Sequence, residues 1–285
     1  MHPRIGVTPP VTLLRMTHTL TSNKLREYSH EIRPTFVIDL ETTGLAKDDE
    51  IVEIGVYDYT GNRTWDTLVR PTHKSADATT FITGISDEMV ADAPNIVEAL
   101  DLLSEVVDLK DGLFIAHNGR TFDFPRLNHV LVENGHHIID VERTLDSCRV
   151  ARILIPHGLT TTHRLETLLG FYGVDEVQDH RAGSDCRQTA LVLDHMIDER
   201  NAGFVGFRSV EKMMEYSERT IPWPRADEKK ARTWLKSILE LRESGELVND
   251  SPAHRLEQRY RELVGWLYPK AGPGLLDRVT QLSRA

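Results

Sequence analysis

The stretch "FVIDLETTGL", from Phe36 to Leu45, decides the fold and places the first candidate functional groups. Its apolar and β-branched residues predict a buried β-strand. Asp39 and Glu41 lie within this strand and at its end. Because successive side chains of a strand alternate between its two faces, both carboxylates point to the same face. The apolar residues at the alternate positions point to the other face and anchor the strand.

Two adjacent carboxylates at the edge of a core repel each other and resist burial unless a cation joins them. A hard divalent cation with oxygen ligands would resolve this conflict. The alternative is an exposed strand end whose two acids are solvated. This stretch alone leaves both interpretations open.

The composition indicates a globular protein with one sizeable core and room for a smaller attachment, since 40% of the 285 residues are hydrophobic. The formal net charge of −10 argues against a broadly basic nucleic-acid-binding surface. The acidic excess lies in residues 1–199, whereas residues 200–285 carry a small basic excess. Such acidity is consistent with solubility alone or with a bound cation.

Cysteine usage and hydropathy bear on the cellular location. Cys148 and Cys186 form no CxxC pair, which argues against a zinc site or a disulfide framework. The longest apolar stretches are too short for a membrane span, and prolines interrupt the N-terminal "GVTPPVTLL", so no signal peptide is expected. We expect a cytoplasmic protein with no membrane partner. Whether Met1 or Met16 is the natural start stays open.

The chain divides into three regions. Residues 1–33 lack sustained periodicity and are expected to form a poorly ordered or loosely docked arm. Residues 34–204 contain the strand patterns and most helix patterns. Residues 205–285 show no convincing strand and are predicted to form a small helical C-terminal region, with helices at 227–242, 252–267 and 275–282.

Residues 34–204 predict an α/β fold. Five strands are expected, at 35–41, 50–59, 63–71, 112–118 and 137–143. Helices are expected at 85–93, 94–107, 124–134, 147–154, 165–171 and 185–199. The first three strands have short links and should form an antiparallel meander. Strands alternating with helices follow, so we predict a five-stranded mixed sheet flanked by helices.

Two further segments place acids at the starts of helices. In "AHNGRTFDFPRL", Asp123 begins a helix just after a strand that ends in His117 and Asn118. An acid there could serve only to favour the helix dipole. In "HRAGSDCRQTA", Asp185 is expected in the first turn of a helix and His180 on a mobile loop before it. Neither segment is specific by itself.

Taken together, "DLETTGL", "AHNGRTFD" and the His-x4-Asp pair in "HRAGSD" resemble the three motifs of the DEDD (DnaQ-like) 3′–5′ exonuclease superfamily. The match covers roughly residues 34–200. His180 marks the histidine branch, DEDDh, to which the epsilon proofreading subunit of bacterial DNA polymerase III belongs. The resemblance implies a ribonuclease H-like fold.

The resemblance also implies a chemistry. Two divalent metal ions, Mg²⁺ or Mn²⁺, would be held by Asp39, Glu41, Asp123 and Asp185. His180 would take a proton from the attacking water. The implied reaction hydrolyses phosphodiester bonds from the 3′ end of DNA, single-stranded or frayed, and releases nucleoside 5′-monophosphates in proofreading or repair.

Further residues are implied to contact or shape the place of the 3′ end. The implied substrate-binding residues are Glu41, Thr42, Thr43, Gly44, Leu45, His117 and Asn118. Arg120 and Arg181 are candidates for phosphate contacts. Phe122 and Phe124 are expected to belong to the core.

Two other functions stay open at this point. The first is an RNA 3′–5′ exonuclease, similar to ribonuclease T or oligoribonuclease, which have the same motifs. The second is a binding module whose C-terminal region docks on a DNA polymerase or another replication protein, with hydrolysis secondary. The aromatic residues of that region could form such a surface or only pack its helices: Trp223, Trp234, Tyr260, Trp266 and Tyr268.

Overall fold

The computed structural model of the protein describes residues 33–46, 48–73, 77–174, 180–197, 210–219, 221, 224–245 and 252–268. The predicted N-terminal arm, except Arg33, lies outside these ranges. The predicted helix at 275–282 and Trp223 also lie outside them.

A five-stranded mixed sheet forms the centre of the fold, as predicted, in the order β3-β2-β1-β4-β5. The strands are β1 (Thr35–Thr42), β2 (Ile51–Asp58), β3 (Arg63–Leu68), β4 (Leu113–Ala116) and β5 (Thr144–Asp146). The first three form the predicted antiparallel meander, and β1, β4 and β5 run parallel. The carboxyl ends of these parallel strands therefore meet at one edge of the sheet, where α/β folds bind ligands.

The prediction of the fifth strand at 137–143 is wrong. Val141–Arg143 form a short 3₁₀ helix, and the strand begins only at Thr144. The backbone at Ile139 bonds to a side chain instead of a strand: its N–H donates to Asn128 Oδ1 at 2.8 Å, and its carbonyl accepts from Asn128 Nδ2 at 2.9 Å. The apolar run therefore forms a loop fastened to a helix.

The helices surround the sheet. They are α1 (Asp77–Thr83), α2 (Asp87–Val90), α3 (Ile96–Val106), α4 (Asp123–Glu133), α5 (Ser147–Leu154), α6 (Leu165–Tyr172), α7 (Ala182–Ile197), α8 (Val210–Ser217), α9 (Ala226–Glu243) and α10 (Pro252–Leu267). Only α1 and α8 have no counterpart among the sequence predictions. Helix α3 starts at Ile96, not at Pro94, because the Asn95 side chain accepts from two N–H groups of its first turn.

The two faces of the sheet bury separate apolar cores. Phe36, Ile38 and Leu40 of β1 pack on the face covered by α3 and α4. Val37 of β1 packs on the opposite face, beneath α5, α6 and α7. Asp39 has the same strand parity as Val37 and therefore points to the α7 face.

The C-terminal helices share this second core. Their buried members in the cluster are Met213, Ala231, Leu235, Ile238, Tyr260 and Val264. The Tyr260 hydroxyl donates to the Gly158 carbonyl at 2.9 Å, and Tyr268 donates to Glu228 at 3.0 Å. Trp234 also packs against the core, whereas Trp266 is 69% exposed. Packing thus accounts for most of the described aromatic residues of this region.

Both cysteines are buried and free. Among the helices that the structure describes, none combines the length and the apolar character that crossing a membrane requires.

Candidate active site

Three carboxylates meet at the carboxyl edge of the sheet. Asp39 and Glu41 come from β1, and Asp185 comes from the first turn of α7, where the sequence places it. One ligand oxygen of each lies within 4.8 Å of the others. We call these three residues the acidic triad.

Glycine at position 55 permits this approach. Gly55 of β2 lies directly opposite Asp39 in the antiparallel ladder. A Cβ atom at Gly55 would lie 2.2 Å from the Ala182 carbonyl carbon and 2.5 Å from the Gly183 nitrogen. The backbone at the start of α7 therefore rests on β2 itself, which brings Asp185 over the strand that carries Asp39.

Gly55→Ala should consequently displace the start of α7, destabilise the fold by about 1–3 kcal/mol and move Asp185 away from Asp39. Gly170→Ala is the matched control, because a Cβ at Gly170 meets nothing within 4 Å. Its higher helix propensity should stabilise the protein by up to about 1 kcal/mol. Denaturant unfolding would measure the stability of both variants, and Mn²⁺ calorimetry would report whether the acidic triad still forms. Equal behaviour of the two variants would contradict the close approach of α7.

Asp123, at the first position of α4, is not a member of the acidic triad, but it lies near enough for its charge to act on Asp39. Its Oδ1 accepts from the Leu40 backbone N–H at 3.1 Å, so the carboxylate is fixed against β1. Phe124 is buried beside it, and Phe122 carries the Arg126 guanidinium 3.9 Å above its ring centre. Phe124 thus belongs to the core, as predicted, whereas Phe122 is only half-buried and its ring is covered by Arg126.

These acids hold protons unusually tightly in the absence of a cation. Burial, reinforced by the charges of Asp123 and Asp185, raises the pKa of Asp39 well above its usual range. Burial and neighbouring acids raise the pKa of Glu41 to about 8. Burial likewise raises the pKa of Asp123 to about 7, against the bonds from backbone N–H groups. A set of converging oxygen ligands that repel one another fits a hard divalent cation.

We expect metal binding to depend on pH, because the cation must displace protons from Glu41 and Asp123. Their raised pKa values stabilise the metal-free fold at low pH, and this contribution is lost as the pH rises through about 8. Between about pH 6.5 and 9, the Tm in chelator should fall more steeply than the Tm with saturating Mn²⁺. His117 and His163 do not interfere, since burial lowers their pKa from the usual 6.5. Parallel melting curves would contradict this prediction.

His180 lies on the loop before α7, as predicted, and is exposed. Its backbone φ is +51°, in the left-handed region that non-glycine residues adopt at a cost. The imidazole is not part of the acidic triad.

The turn after β1 contains the predicted substrate-binding residues. Thr42 and Thr43 are buried, and their hydroxyls stabilise the turn: Thr42 Oγ1 donates to the Gly44 carbonyl at 2.5 Å, and Thr43 Oγ1 accepts from the Glu50 N–H at 3.0 Å. Leu45 is 85% exposed at the tip of the turn. Substrate contact by these residues stays a prediction.

The second motif begins with His117, which is held by hydrogen bonds inside the fold, and Asn118, where the chain turns. His117 bonds through Nε2 to the His163 carbonyl and through Nδ1 to the Ser147 hydroxyl, both at 2.9 Å. Burial lowers the pKa of His117, which favours the neutral ring. Asn118 is exposed, with a φ of +70°. The chain therefore turns at Asn118 to reach Asp123.

A family model describes the same part of the chain. The exonuclease model RNase_T matches residues 36–193, which is more than half of the sequence. The chain belongs to this exonuclease family. The resemblance to the DnaQ-like 3′–5′ exonucleases is thereby confirmed.

Curated relatives of the exonuclease are much longer proteins. The DNA polymerase III PolC-type protein of Caldanaerobacter subterraneus subsp. tengcongensis is 32% identical over 182 residues, which cover 62% of this chain and 12% of that protein. The PolC-type protein of Bacillus subtilis is 32% identical over 172 residues, which cover 57% of this chain and 11% of that protein. The exonuclease thus spans about a tenth of the length of these relatives.

Among solved structures, E. coli exonuclease I in complex with a dA16 oligonucleotide has a TM-score of 0.52 at 16% identity. The similarity covers 65% of this exonuclease and 42% of that chain. At this identity the likeness concerns the fold alone, and it confirms the predicted ribonuclease H-like fold.

Both arginines predicted to contact phosphate are bound to carboxylates of the exonuclease itself. Arg120 forms an ion pair with Glu218, and Arg181 forms one with Glu53. These contacts oppose the predicted role. Glu53 is absent from the residues that the sequence predicts for the site, although an acid between apolar residues of a strand as buried as β2 is a signal for it.

Proposed function

We propose that this exonuclease hydrolyses phosphodiester bonds from the 3′ end of DNA, at single-stranded or frayed ends, and releases nucleoside 5′-monophosphates in proofreading or repair. The observation that carries the proposal is the acidic triad, whose ligand oxygens lie within 4.8 Å of one another beside Asp123. The choice of DNA is supported by the relatives named DNA polymerase III PolC-type.

Asp39, Glu41, Asp123 and Asp185 would together hold two Mg²⁺ or Mn²⁺ ions. Such ions, when bound, supply the positive charge that stabilises the attacking and leaving oxygens of a phosphodiester. The acids by themselves repel a polyanion, so their arrangement is productive for nucleic acid only with a cation.

His180 would accept the proton of the attacking water on a ring nitrogen. This role requires the neutral imidazole, because only an unprotonated ring nitrogen can accept a proton. Its exposed position before α7 leaves the ring accessible to a substrate that lies across the acidic triad.

A matched pair of 5′-labelled single-stranded DNA and RNA oligonucleotides would test the proposal. With Mg²⁺ or Mn²⁺, we expect a ladder that shortens one nucleotide at a time from the 3′ end, faster on DNA. Phosphorothioate linkages at the 3′ end provide the control and should block it, and EDTA should stop the reaction. Faster turnover of RNA would instead favour the RNA exonuclease. Internal cleavage or activity in EDTA would overturn the proposal.

We further propose that a DNA polymerase or another replication protein binds residues 205–285. Trp266, which is 69% exposed on α10, supports a contact surface there. Because this region shares a core with the sheet, the test should be a surface substitution and not a deletion. Trp266→Ala should weaken binding to the purified replicative polymerase of the same cell in calorimetry, with exonuclease turnover unchanged. Equal affinity of wild type and variant would contradict the surface.

A further inference from the structure

We propose that Glu53 and Arg181 act as a pair of positioning residues that hold His180 in place for the reaction. This inference rests on the function proposed above. Glu53 lies outside the three motifs, and Arg181 occupies one of the four unspecified positions of His-x4-Asp. Both act through a contact on the α7 side of β2.

Glu53 lies beside the acidic triad, but its carboxylate is paired with Arg181. It stands directly opposite Glu41 in the β1–β2 ladder, and its side chain is fully buried. Its carboxylate accepts from Arg181 Nε at 2.9 and 3.2 Å and also from Arg181 Nη2. A buried carboxylate is tolerated when it is paired and hydrogen-bonded in this way.

The same carboxylate caps helix α7. It accepts from the backbone N–H of Ala182, the first residue of the helix, at 3.0 Å. Negative charge at a helix N-terminus is favourable, because the first N–H groups have no partner within the helix. Glu53 thus grips the chain at two consecutive residues, through the side chain of Arg181 and the backbone of Ala182.

His180 immediately precedes Arg181 and Ala182, the two residues that Glu53 binds. Two anchors fix the chain on its C-terminal side, and its own backbone has a φ of +51°. Such a conformation persists in a non-glycine residue when the surroundings hold it. An exposed histidine on a loop would otherwise sample many orientations, and holding a catalytic group near its productive geometry raises the rate.

Gly55 contributes to the same arrangement from the next position on that face of β2. The backbone at the start of α7 lies directly against Gly55, so the contacts of Glu53 with Arg181 and Ala182 span a short distance. Glu53 and Gly55 together align the loop carrying His180 with the strand carrying Asp39 and Glu41.

Arg181→Met tests the pair, because it removes the guanidinium and keeps a long apolar stem. We expect kcat to fall about 10- to 100-fold, with KM unchanged within about twofold. Arg181→Lys keeps the charge but loses the forked contact, and should recover part of kcat. Arg219→Met is the matched control, since Arg219 pairs with Glu215 on the surface. It should leave kcat unchanged.

The decisive measurement combines Arg181→Met with His180→Ala. If Arg181 acts through His180, the double variant should be no slower than His180→Ala alone. Multiplication of the two losses would overturn the inference, as would a rise in KM without a change in kcat, which would mean that Arg181 contacts the substrate. Should Arg181→Met fail to fold, the same cycle with Arg181→Lys decides. If His180→Ala itself is fully active, the proposed role of His180 has failed, a separate outcome.

Discussion

Asp39→Asn should abolish exonuclease activity and at the same time raise the melting temperature of the metal-free protein. The activity should fall by about 10³-fold or more, because the loss of a central metal ligand removes several kcal/mol of charge stabilisation from the reaction. The stability should rise because burial and the charges of Asp123 and Asp185 make an ionised Asp39 unfavourable in the fold. Each kcal/mol gained corresponds to about 2–4 °C in Tm for a protein of this size.

Opposite changes in activity and stability distinguish a functional acid from a structural one. Glu105→Gln, which alters an exposed carboxylate on α3, is the control and should change neither quantity. Differential scanning fluorimetry in EDTA and the oligonucleotide assay in Mn²⁺ would measure the pair. Retained activity in Asp39→Asn would refute the metal site, and a lower Tm would show that Asp39 stabilises the fold through contacts other than metal binding.

His180→Ala should lower kcat by about 10²- to 10⁴-fold, the contribution of a positioned general base. Metal binding should persist, because His180 is not part of the acidic triad. Single-turnover kinetics, with Mn²⁺ calorimetry on the same samples, would check both expectations.

His129→Ala controls for the loss of an imidazole, since His129 is exposed on α4 next to Glu133. His129→Ala should match the wild type in kcat and in Mn²⁺ binding. Near wild-type turnover by His180→Ala, with normal metal binding, would remove His180 from the chemistry. Loss of metal binding in His180→Ala would instead assign the residue to the metal site.

The sequence predicts the acids well because their placement depends on local rules. The period of two along β1 puts Asp39 and Glu41 on one face, and the motif spacing puts Asp123 and Asp185 at the starts of helices. The packing that unites them depends on contacts between distant segments. The sequence shows Gly55 only as a glycine within a strand. The backbone that lies against it, at the start of α7, is more than a hundred positions away in the chain.

The errors and omissions have the same origin. Arg181 is 128 positions from Glu53, so the sequence does not reveal this ion pair. From the sequence alone, Arg181 is a candidate for a phosphate contact. The fifth strand was misplaced because Asn128 satisfies the backbone of Ile139 from a neighbouring helix. Periodicity reports which residues are apolar, but it does not report which side chain will bond to the backbone.

The core shared by the C-terminal helices has a consequence for what counts as the minimal enzyme. The match to the exonuclease family model ends at residue 193, yet α8 packs on β5 and α5, and Tyr260 of α10 bonds to Gly158. Arg149 of α5 donates to the Ser217 carbonyl at 2.6 Å, which ties the second region to the first. A chain trimmed at residue 193 would expose the apolar side chains that these helices cover. The segment that the family model describes is therefore shorter than the unit that folds.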